Sequence, residues 1–206
     1  MTRPTVVLAT RNPGKLVELA RILSPYDVDL VSLDDLPPYE PAAETGATFA
    51  ENALAKAHEA ARETGLCALA DDSGLCVDAL GGMPGVLSAR WSGRHGDDVA
   101  NLELVLGQLA DVPAERRGAH FVCAAAAALP DGRELVVEAD VRGRLAQMPR
   151  GSGGFGYDPV FVPDDHQGHH DRTRTMAELS PPEKEAISHR GKAFRILAPR
   201  LADLLA

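Results

Sequence analysis

The hydrophobic positions along the first third of the chain alternate between a short β-branched run and stretches at helical spacing. Residues 5–10 predict a strand, and the apolar positions from 16 to 23 recur as on one face of a helix. A longer helix is predicted from Thr48, because Thr48 and Glu51 form a capping-box pattern and Gly65 follows the last turn. The proline-rich segment 37–46 has no periodicity, so we expect a loop there.

The remaining two thirds of the chain add further strands and helices. Two extended runs joined by Pro130–Arg133 predict a β-hairpin, and Ser180, Pro181 and Glu183 form the pattern of a helix start. Strands are predicted at 66–70, 75–80, 119–129, 134–145 and 159–162, and helices at 98–109, 180–190 and 194–205, the last two separated by Gly191. This order predicts an α/β fold with a mixed central sheet and flanking helices.

Composition and charge narrow the functional class. The 206 residues include 21 Lys+Arg and 30 Asp+Glu, and the formal net charge of −9 argues against a nucleic-acid binder. With 45% hydrophobic and 25% charged residues, the chain fits a single folded domain over residues 1–206. The longest apolar run, 121–129, is roughly half of the ~20 residues of a membrane helix, and the run 6–9 is too short for a secretory signal. We therefore expect a cytoplasmic protein without a membrane partner.

The turn between the first strand and the first helix is one candidate site. It reads Thr10-Arg11-Asn12-Pro13-Gly14-Lys15, and a helix N-terminus offers backbone N–H groups and a positive dipole end to an anion. The turn is not a Walker A loop, since Ala9 and Leu16 stand where that pattern needs glycine and Ser or Thr. On these grounds alone, phosphate binding and an ordinary capped turn are equally supported.

The acidic segment Asp71–Gly74, at the end of a predicted strand, is a second candidate. Adjacent strand residues point to opposite faces, so Asp71 and Asp72 would have different tasks. One carboxylate can serve as a metal ligand or general base while the other braces the loop. An Asx-type turn is the alternative, and it is common after strands.

Two further segments carry residues suited to ligand binding. The segment Ser188–Gly191 contains His189 and Arg190 beside a glycine, a pattern that also fits a solvated helix end. Phe155 and Tyr157 lie among glycines, which suggests that a planar ligand stacks there, or that the rings pack into the core.

The histidines and cysteines give weaker indications of a functional site. His166, His169 and His170 lie in a polar segment, for which a solvated loop is favoured over a metal site. The three cysteines have no CxxC pair, so we expect them to be buried and reduced.

Motifs along nearly the whole chain, taken in order, resemble one family. They are Thr10–Lys15, Glu44-Thr-Gly-x-Thr-Phe49, Glu51-Asn-Ala, Lys56-Ala, Ala70–Gly74, Gly81-Gly-x-Pro-Gly85, Ser88-Ala-Arg, Gly153–Pro159, Ala177-Glu-Leu, Glu183-Lys184 and Ile187–Gly191. On these motifs the sequence is similar to the inosine/xanthosine triphosphate pyrophosphatases, which act on noncanonical purine nucleoside triphosphates such as ITP, dITP and XTP.

The resemblance implies a mixed-sheet α/β protein with two lobes around a nucleotide cleft, usually a homodimer. It implies Mg²⁺-dependent hydrolysis between the α- and β-phosphates, with Asp72 as general base and with Glu44 and Asp72 around the metal. It also implies a set of substrate-binding residues, in which Phe155 is the stacking ring: Thr10, Arg11, Asn12, Pro13, Gly14, Lys15, Lys56, Ser73, Phe155, Gly156, Tyr157, Asp158, Lys184, His189 and Arg190.

Two positions depart from the family pattern, and a second functional class stays open. Arg11 stands where many members have glycine, and Val141-Arg142 stands where some have Trp-Pro. The alternative class is a nucleotide-binding sensor without catalysis. The acidic pair Glu44 and Asp72 favours the enzyme, since a simple phosphate binder gains nothing from carboxylates near an anion unless a metal lies between them.

Overall fold

The computed structural model describes residues 3–26, 28–164 and 173–205, and the chain forms two compact units. Unit 1 comprises Met1–Asp72, Cys123–Ala139 and Arg190–Ala206. Unit 2 comprises Ser73–Val122 and Asp140–His189. The chain therefore passes from one unit to the other four times.

The secondary structure confirms the predicted α/β class. The strands are β1 (Thr5–Leu8), β2 (Asp29–Ser32), β3 (Cys67–Val77), β4 (Gly118–Ala128), β5 (Glu134–Leu145) and β6 (Phe161–Pro163). The α-helices are α1 (Pro13–Leu23), α2 (Phe49–Thr64), α3 (Asp98–Gln108), α4 (Pro181–Ile187) and α5 (His189–Leu205). The strands form a six-stranded sheet in the order β2-β1-β3-β4-β5-β6. The sheet is mixed, because β1 pairs parallel with β2 and β3 whereas β5 pairs antiparallel with β6.

The core of unit 1 forms where helices α1 and α5 pack with the strands. Val6 and Leu8, which alternate along β1, lie in one apolar cluster with Leu19 of α1 and Phe194 of α5. Helix α1 begins after Asn12, whose side chain accepts a hydrogen bond from the backbone of Lys15. The turn between β1 and α1 lies beside strand β3, where Lys15 contacts Asp71.

Both ends of helix α2 lie where the sequence predicts them. The Thr48 side chain accepts a hydrogen bond from the Glu51 backbone N–H, and Gly65 ends the helix in the left-handed conformation at φ 69°. Ala53, Ala57 and Ala61 form its buried stripe at a spacing of four residues. On the neighbouring face of the helix, Asn52 and Lys56 reach Asp72 of β3.

Unit 2 has its own apolar cluster around aromatic rings. The ring of Phe121 lies 4.6 Å from that of Phe161 and stacks at 4.7 Å on the imidazole of His189. The cluster also contains Leu75 of β3, Val105 of α3 and side chains of β4, β5 and the segment 157–187.

The three cysteines are free and buried, as predicted. Burial raises the pKa of the Cys67 thiol to about 11, so it stays protonated and unreactive near neutral pH.

Several sequence-based boundaries were wrong, and one strand was not predicted. Strand β3 continues through the acidic segment instead of ending at residue 70. Helix α4 ends at Ile187, before Gly191, because its C-cap Ser188 takes an extended ψ of 149°. Residues 159 and 160 lie in a turn, and β6 begins at Phe161. Strand β2, a four-residue edge strand, was not predicted.

Two findings concern the described residues only. None of the helices formed by residues 3–26, 28–164 and 173–205 is long and apolar enough to cross a membrane. His166, His169 and His170, for which a solvated loop was expected, lie outside those ranges.

Candidate active site

The middle of strand β3 carries two carboxylates with separate sets of partners. The Asp71 side chain is fully buried and accepts from Lys15 Nζ at 2.9 Å and from Arg190 Nε at 3.2 Å. Arg190 also forms an ion pair with Glu18 of helix α1. Burial by itself raises the pKa of Asp71, but Lys15, Arg190 and Lys56 outweigh it and hold that pKa well below its ordinary value. Asp71 is therefore an ionised brace between α1 and α5.

Asp72, the next residue, faces helix α2. Its Oδ1 accepts from Lys56 Nζ at 3.1 Å, and its Oδ2 accepts from Asn52 Nδ2 at 3.0 Å. Burial raises the pKa of Asp72, and this effect outweighs the lowering by Lys56 and the Asn52 hydrogen bond. The carboxylate is thus a stronger base than an exposed aspartate, and it is held by two groups one helical turn apart.

Lys56 joins this carboxylate to the loop that precedes α2. Its ammonium lies 3.0 Å from Glu44 Oε1 as well as 3.1 Å from Asp72 Oδ1, so one cation bridges the two carboxylates. Burial by itself lowers the pKa of Lys56, but Asp72, Asp71 and Glu44 together hold it above its ordinary value. The ammonium stays charged in the site.

The turn between β1 and α1 uses much of its hydrogen-bonding capacity internally. Thr10 Oγ1 accepts from the Asn12 backbone, Asn12 Oδ1 accepts from the Lys15 backbone, and Pro13 has no N–H to offer. The Arg11 guanidinium donates to the Tyr39 carbonyl at 2.7 Å and lies 5.8 Å from that ring. The capped-turn interpretation explains these backbone groups, and the side chains of Lys15 and Arg11 supply the positive charge.

In unit 2, the glycine-rich segment 151–158 is organised around one buried carboxylate. Asp158 Oδ2 accepts from the Phe155 backbone at 2.9 Å and from Lys184 Nζ at 2.8 Å. The same ammonium lies 4.8 Å from the centroid of the Phe155 ring. The Gly156 N–H donates to Asp98 Oδ2 at 2.9 Å, which ties the segment to helix α3.

The two aromatic residues of this segment differ in exposure. Phe155 is half-buried, whereas Tyr157 is buried and its hydroxyl donates to the Ser88 carbonyl at 2.9 Å. Of the two rings, Phe155 is thus the one with a surface left for stacking, and Tyr157 packs in the core of unit 2.

Comparison with known proteins shows which family the chain belongs to. The model of the Ham1 family matches residues 6–200 of the chain.

The chain belongs to the Ham1 family.

Relatives with assigned names support this membership and the family predicted from the motifs. The dITP/XTP pyrophosphatase of Streptomyces avermitilis is 60% identical over 207 residues, which cover the whole of both chains. That of Mycolicibacterium paratuberculosis is 60% identical over 202 residues, or 97% of this chain and 96% of the relative.

Solved structures of Ham1-type proteins share the fold. The nucleoside-triphosphatase, or dITP/XTP pyrophosphatase, of Mycobacterium abscessus is 56% identical with a TM-score of 0.74, over 96% of this chain and 99% of the other. A HAM1 protein from Coxiella burnetii is 40% identical with a TM-score of 0.82, over 97% and 99% of the two chains.

Within this Ham1 chain, the candidate residues fall into two groups. Unit 1 holds the β1–α1 turn, Glu44, Lys56, Asp72 and Arg190, and unit 2 holds Ser73, the segment 155–158, Lys184 and His189. His189 and Arg190 are neighbours in sequence, but His189 stacks on Phe121 whereas Arg190 is 2% exposed and pairs with Asp71.

No role was assigned from sequence to three residues that hold the candidate side chains in place, although one of them lies in the family motif Glu51-Asn-Ala. Glu18 pairs with Arg190, Asp98 holds the Gly156 backbone, and Asn52 contacts Asp72. Asn52 had a signal, because asparagine disfavours a helix interior and yet stands here on the same face as Lys56. The partners of Glu18 and Asp98 are more than 50 residues away in sequence and left no local pattern.

The donor set of unit 1 suits Mg²⁺. Among the residues that the structure describes, no group of three or more His, Cys, Asp or Glu side chains is arranged around a common point to hold a metal ion. Glu44 and Asp72 share the Lys56 ammonium, which shows that their oxygens converge on one cation. Mg²⁺ is commonly bound by one or two carboxylates together with water and substrate phosphates, so two carboxylates fit it.

Proposed function

We propose that this chain hydrolyses noncanonical purine nucleoside triphosphates, such as ITP, dITP and XTP, to the monophosphate and pyrophosphate. Such a reaction removes deaminated purines from the nucleotide pool. The observation that carries the proposal is the Lys56 ammonium between the carboxylates of Glu44 and Asp72, a partly buried arrangement that fits metal-assisted phosphate chemistry. The names of the relatives, dITP/XTP pyrophosphatase, support the same substrate class.

In unit 1, the proposed roles follow from charge and position. Lys15 and Lys56 bind the triphosphate through their positive charge, and Arg11, in the β1–α1 turn with Lys15, adds a third cation. Asp72 orients a water molecule towards the α-phosphorus and accepts its proton, a task favoured by its raised pKa. Glu44 and Asp72 would hold Mg²⁺, which supplies positive charge that stabilises the departing pyrophosphate.

In unit 2, the proposed roles concern the base. Phe155 stacks on the purine, and Lys184 is fixed against that ring by Asp158. Inosine and xanthosine carry an acceptor oxygen at C6 where adenine carries a donor. Because Arg190 donates to Asp71 and Glu18, we assign discrimination at C6 to His189 and to backbone N–H groups of the glycine-rich segment.

Two finer features complete the proposal. We propose that the enzyme is a homodimer, which rests on the family resemblance. Its placement in the cytoplasm stays a prediction from sequence.

The proposal is tested with a nucleotide panel. The protein is incubated with Mg²⁺ and ITP, XTP, dITP, GTP or ATP, and pyrophosphate and orthophosphate are measured separately. We expect pyrophosphate, with kcat/KM for ITP about 100-fold above that for ATP, the order that an unsatisfied buried polar group supports at about 1–3 kcal/mol. Release of orthophosphate, or equal efficiency on ATP, would contradict the proposal. Omission of Mg²⁺ should abolish turnover.

A further inference from the structure

The side chain of Asn52 is buried between the Glu44 loop and Asp72. It is 2% exposed and lies in the first turns of helix α2. Its Nδ2 donates to Asp72 Oδ2 at 3.0 Å, and its Oδ1 accepts from the Gly46 backbone N–H at 2.8 Å. The reversed amide would place oxygen against the carboxylate and N–H against N–H, so the two partners fix its orientation.

The loop lies unusually close to this amide. A Cβ atom on Gly46 would lie 2.6 Å from Asn52 Oδ1 and 2.9 Å from the Glu51 Cβ, closer than real Cβ contacts. Gly46 is two residues after Glu44, so its hydrogen bond fixes where the loop brings that carboxylate. The amide therefore contacts both structures that carry the carboxylates of the site.

Asn52 and Lys56 act on Asp72 together. They are four residues apart on α2 and thus share a face of the helix. Each takes a different oxygen of the carboxylate, which fixes the plane of the group as well as its position. Each oxygen keeps a second lone pair, so the carboxylate can still contact a water molecule.

A purely structural role explains this arrangement less well. An asparagine inside a helix lowers helix stability, and a buried amide stabilises the fold only if both ends are satisfied. The amide is matched specifically to Asp72 and to the backbone beside Glu44.

We propose that Asn52 is a positioning residue, which orients the Asp72 carboxylate and couples it to the Glu44 loop so that the two carboxylates keep a fixed separation. The inference rests on the proposed function for what the carboxylates do. Asn52 itself neither touches the substrate nor takes part in proton transfer.

The first variant separates the two hydrogen bonds. Asn52→Asp keeps the shape and the oxygen that accepts from Gly46, but it replaces the donor to Asp72 with a second oxygen. We expect kcat on ITP to fall about 10- to 100-fold, the usual loss when a supporting group is removed from a site, while KM stays within about 3-fold. The matched control is Glu59→Ala, which removes the acceptor of the Ala42 N–H on the same loop without contact to Asp72. Its kcat should stay within about 2-fold of the wild type.

A second variant displaces the Asn52 amide by a change in the loop that carries Glu44. Gly46→Ala inserts a methyl group against Asn52 Oδ1 and should lower kcat about 10-fold. For both variants, binding of α,β-imido-ITP without metal is measured by calorimetry, and thermal unfolding by circular dichroism. We expect affinities within about 3-fold of the wild type and a cooperative transition, since the side chains that bind the triphosphate are unchanged.

The outcomes distinguish this inference from the proposed function. Absence of pyrophosphate release by the wild type overturns both. Wild-type kcat in Asn52→Asp, with an active wild type, overturns the positioning role alone. A parallel loss of activity, analogue affinity and folded protein assigns Asn52 a structural role and also overturns it. If Asn52→Asp does not fold, Gly46→Ala carries the test, and wild-type kcat in that variant overturns the inference.

Discussion

At the scale of single residues, the neighbouring aspartates 71 and 72 show how contacts assign different tasks to identical side chains. Asp71 is enclosed by Lys15 and Arg190, which balance its charge inside the protein. Asp72 contacts one cation and one amide and has a raised pKa. The first residue therefore stabilises the fold, and the second is suited to chemistry.

The substitution Asp72→Asn tests the catalytic assignment. The amide keeps the size of the side chain but cannot accept a proton from water, so we expect kcat on ITP to fall about 10²- to 10⁴-fold. Thermal unfolding should show a folded protein, because α2 and β3 keep their packing. Turnover near that of the wild type would remove Asp72 from the mechanism.

The substitution Asp71→Asn tests the structural assignment. It leaves the half-buried Lys15 and the buried Arg190 without their shared anionic partner, and breaking a buried ion pair in this way costs about 3–5 kcal/mol of stability. Urea denaturation at pH 7 measures the loss. A variant as stable as the wild type would show that this buried network contributes nothing to folding.

The lowered pKa of Asp71 predicts that the free energy of unfolding depends on pH. The folded-state pKa of Asp71 lies below its value of about 3.9 in an unfolded chain, so the unfolded chain takes up a proton first as the pH falls. The stability that Asp71 contributes is complete above about pH 4 and is lost below it, as the pH falls towards the folded-state pKa. The unfolding free energy should therefore decrease less steeply below pH 4 in Asp71→Asn than in the wild type. Equal slopes would contradict this.

At the scale of elements, prediction from sequence succeeded where the signal is local. The ends of α2 depend on Thr48, Glu51 and Gly65, which act within a single turn of the chain. The continuity of β3 through two aspartates depends instead on partners at positions 15, 52, 56 and 190, which the local pattern does not contain. Similarly, helix α5 includes Gly191 in its first turn, because the break falls at Ser188.

For the site too, prediction from sequence succeeded for local features and failed for contacts between distant residues. The motifs predicted that Glu44, Lys56 and Asp72 belong to one site, and the structure places the Lys56 ammonium against both carboxylates. The motifs contained no sign that Arg190 would be buried against Asp71 and Glu18, since the three residues come from distant parts of the sequence. Residue types were predictable, whereas their partners required the fold.

The glycine-rich segment of unit 2 offers a test at this scale. A Cβ atom on Gly154 would lie 2.1 Å from Asp158 Oδ2, the atom that holds Lys184 and the Phe155 backbone. We expect Gly154→Ala to raise KM for ITP on the order of 10- to 100-fold, since small displacements of positioning groups are costly.

The control for this variant is Gly96→Ala. Gly96 has a similar φ, +78° against +72°, but nothing lies within 4 Å of its Cβ. Both variants carry the strain of a left-handed alanine, about 1–2 kcal/mol, which unfolding experiments would detect in each. Only Gly154→Ala should change KM. Equal KM values in the two variants would show that the Asp158 contacts do not position the nucleotide.

At the scale of the whole molecule, a net charge of −9 has to be reconciled with a polyanionic substrate. The structure does so locally, because Lys15, Lys56 and Lys184 each lie against a carboxylate that fixes the cation in place. A few fixed cations together with a divalent metal supply the attraction that the overall charge does not.

The most direct test of the account follows the oxygen of the attacking water. The protein is incubated with ITP and Mg²⁺ in H₂¹⁸O, and both products are analysed by mass spectrometry. We expect inosine monophosphate with one ¹⁸O atom and unlabelled pyrophosphate, since water attacks the α-phosphorus. Label in the pyrophosphate, or formation of inosine diphosphate and orthophosphate, would contradict it.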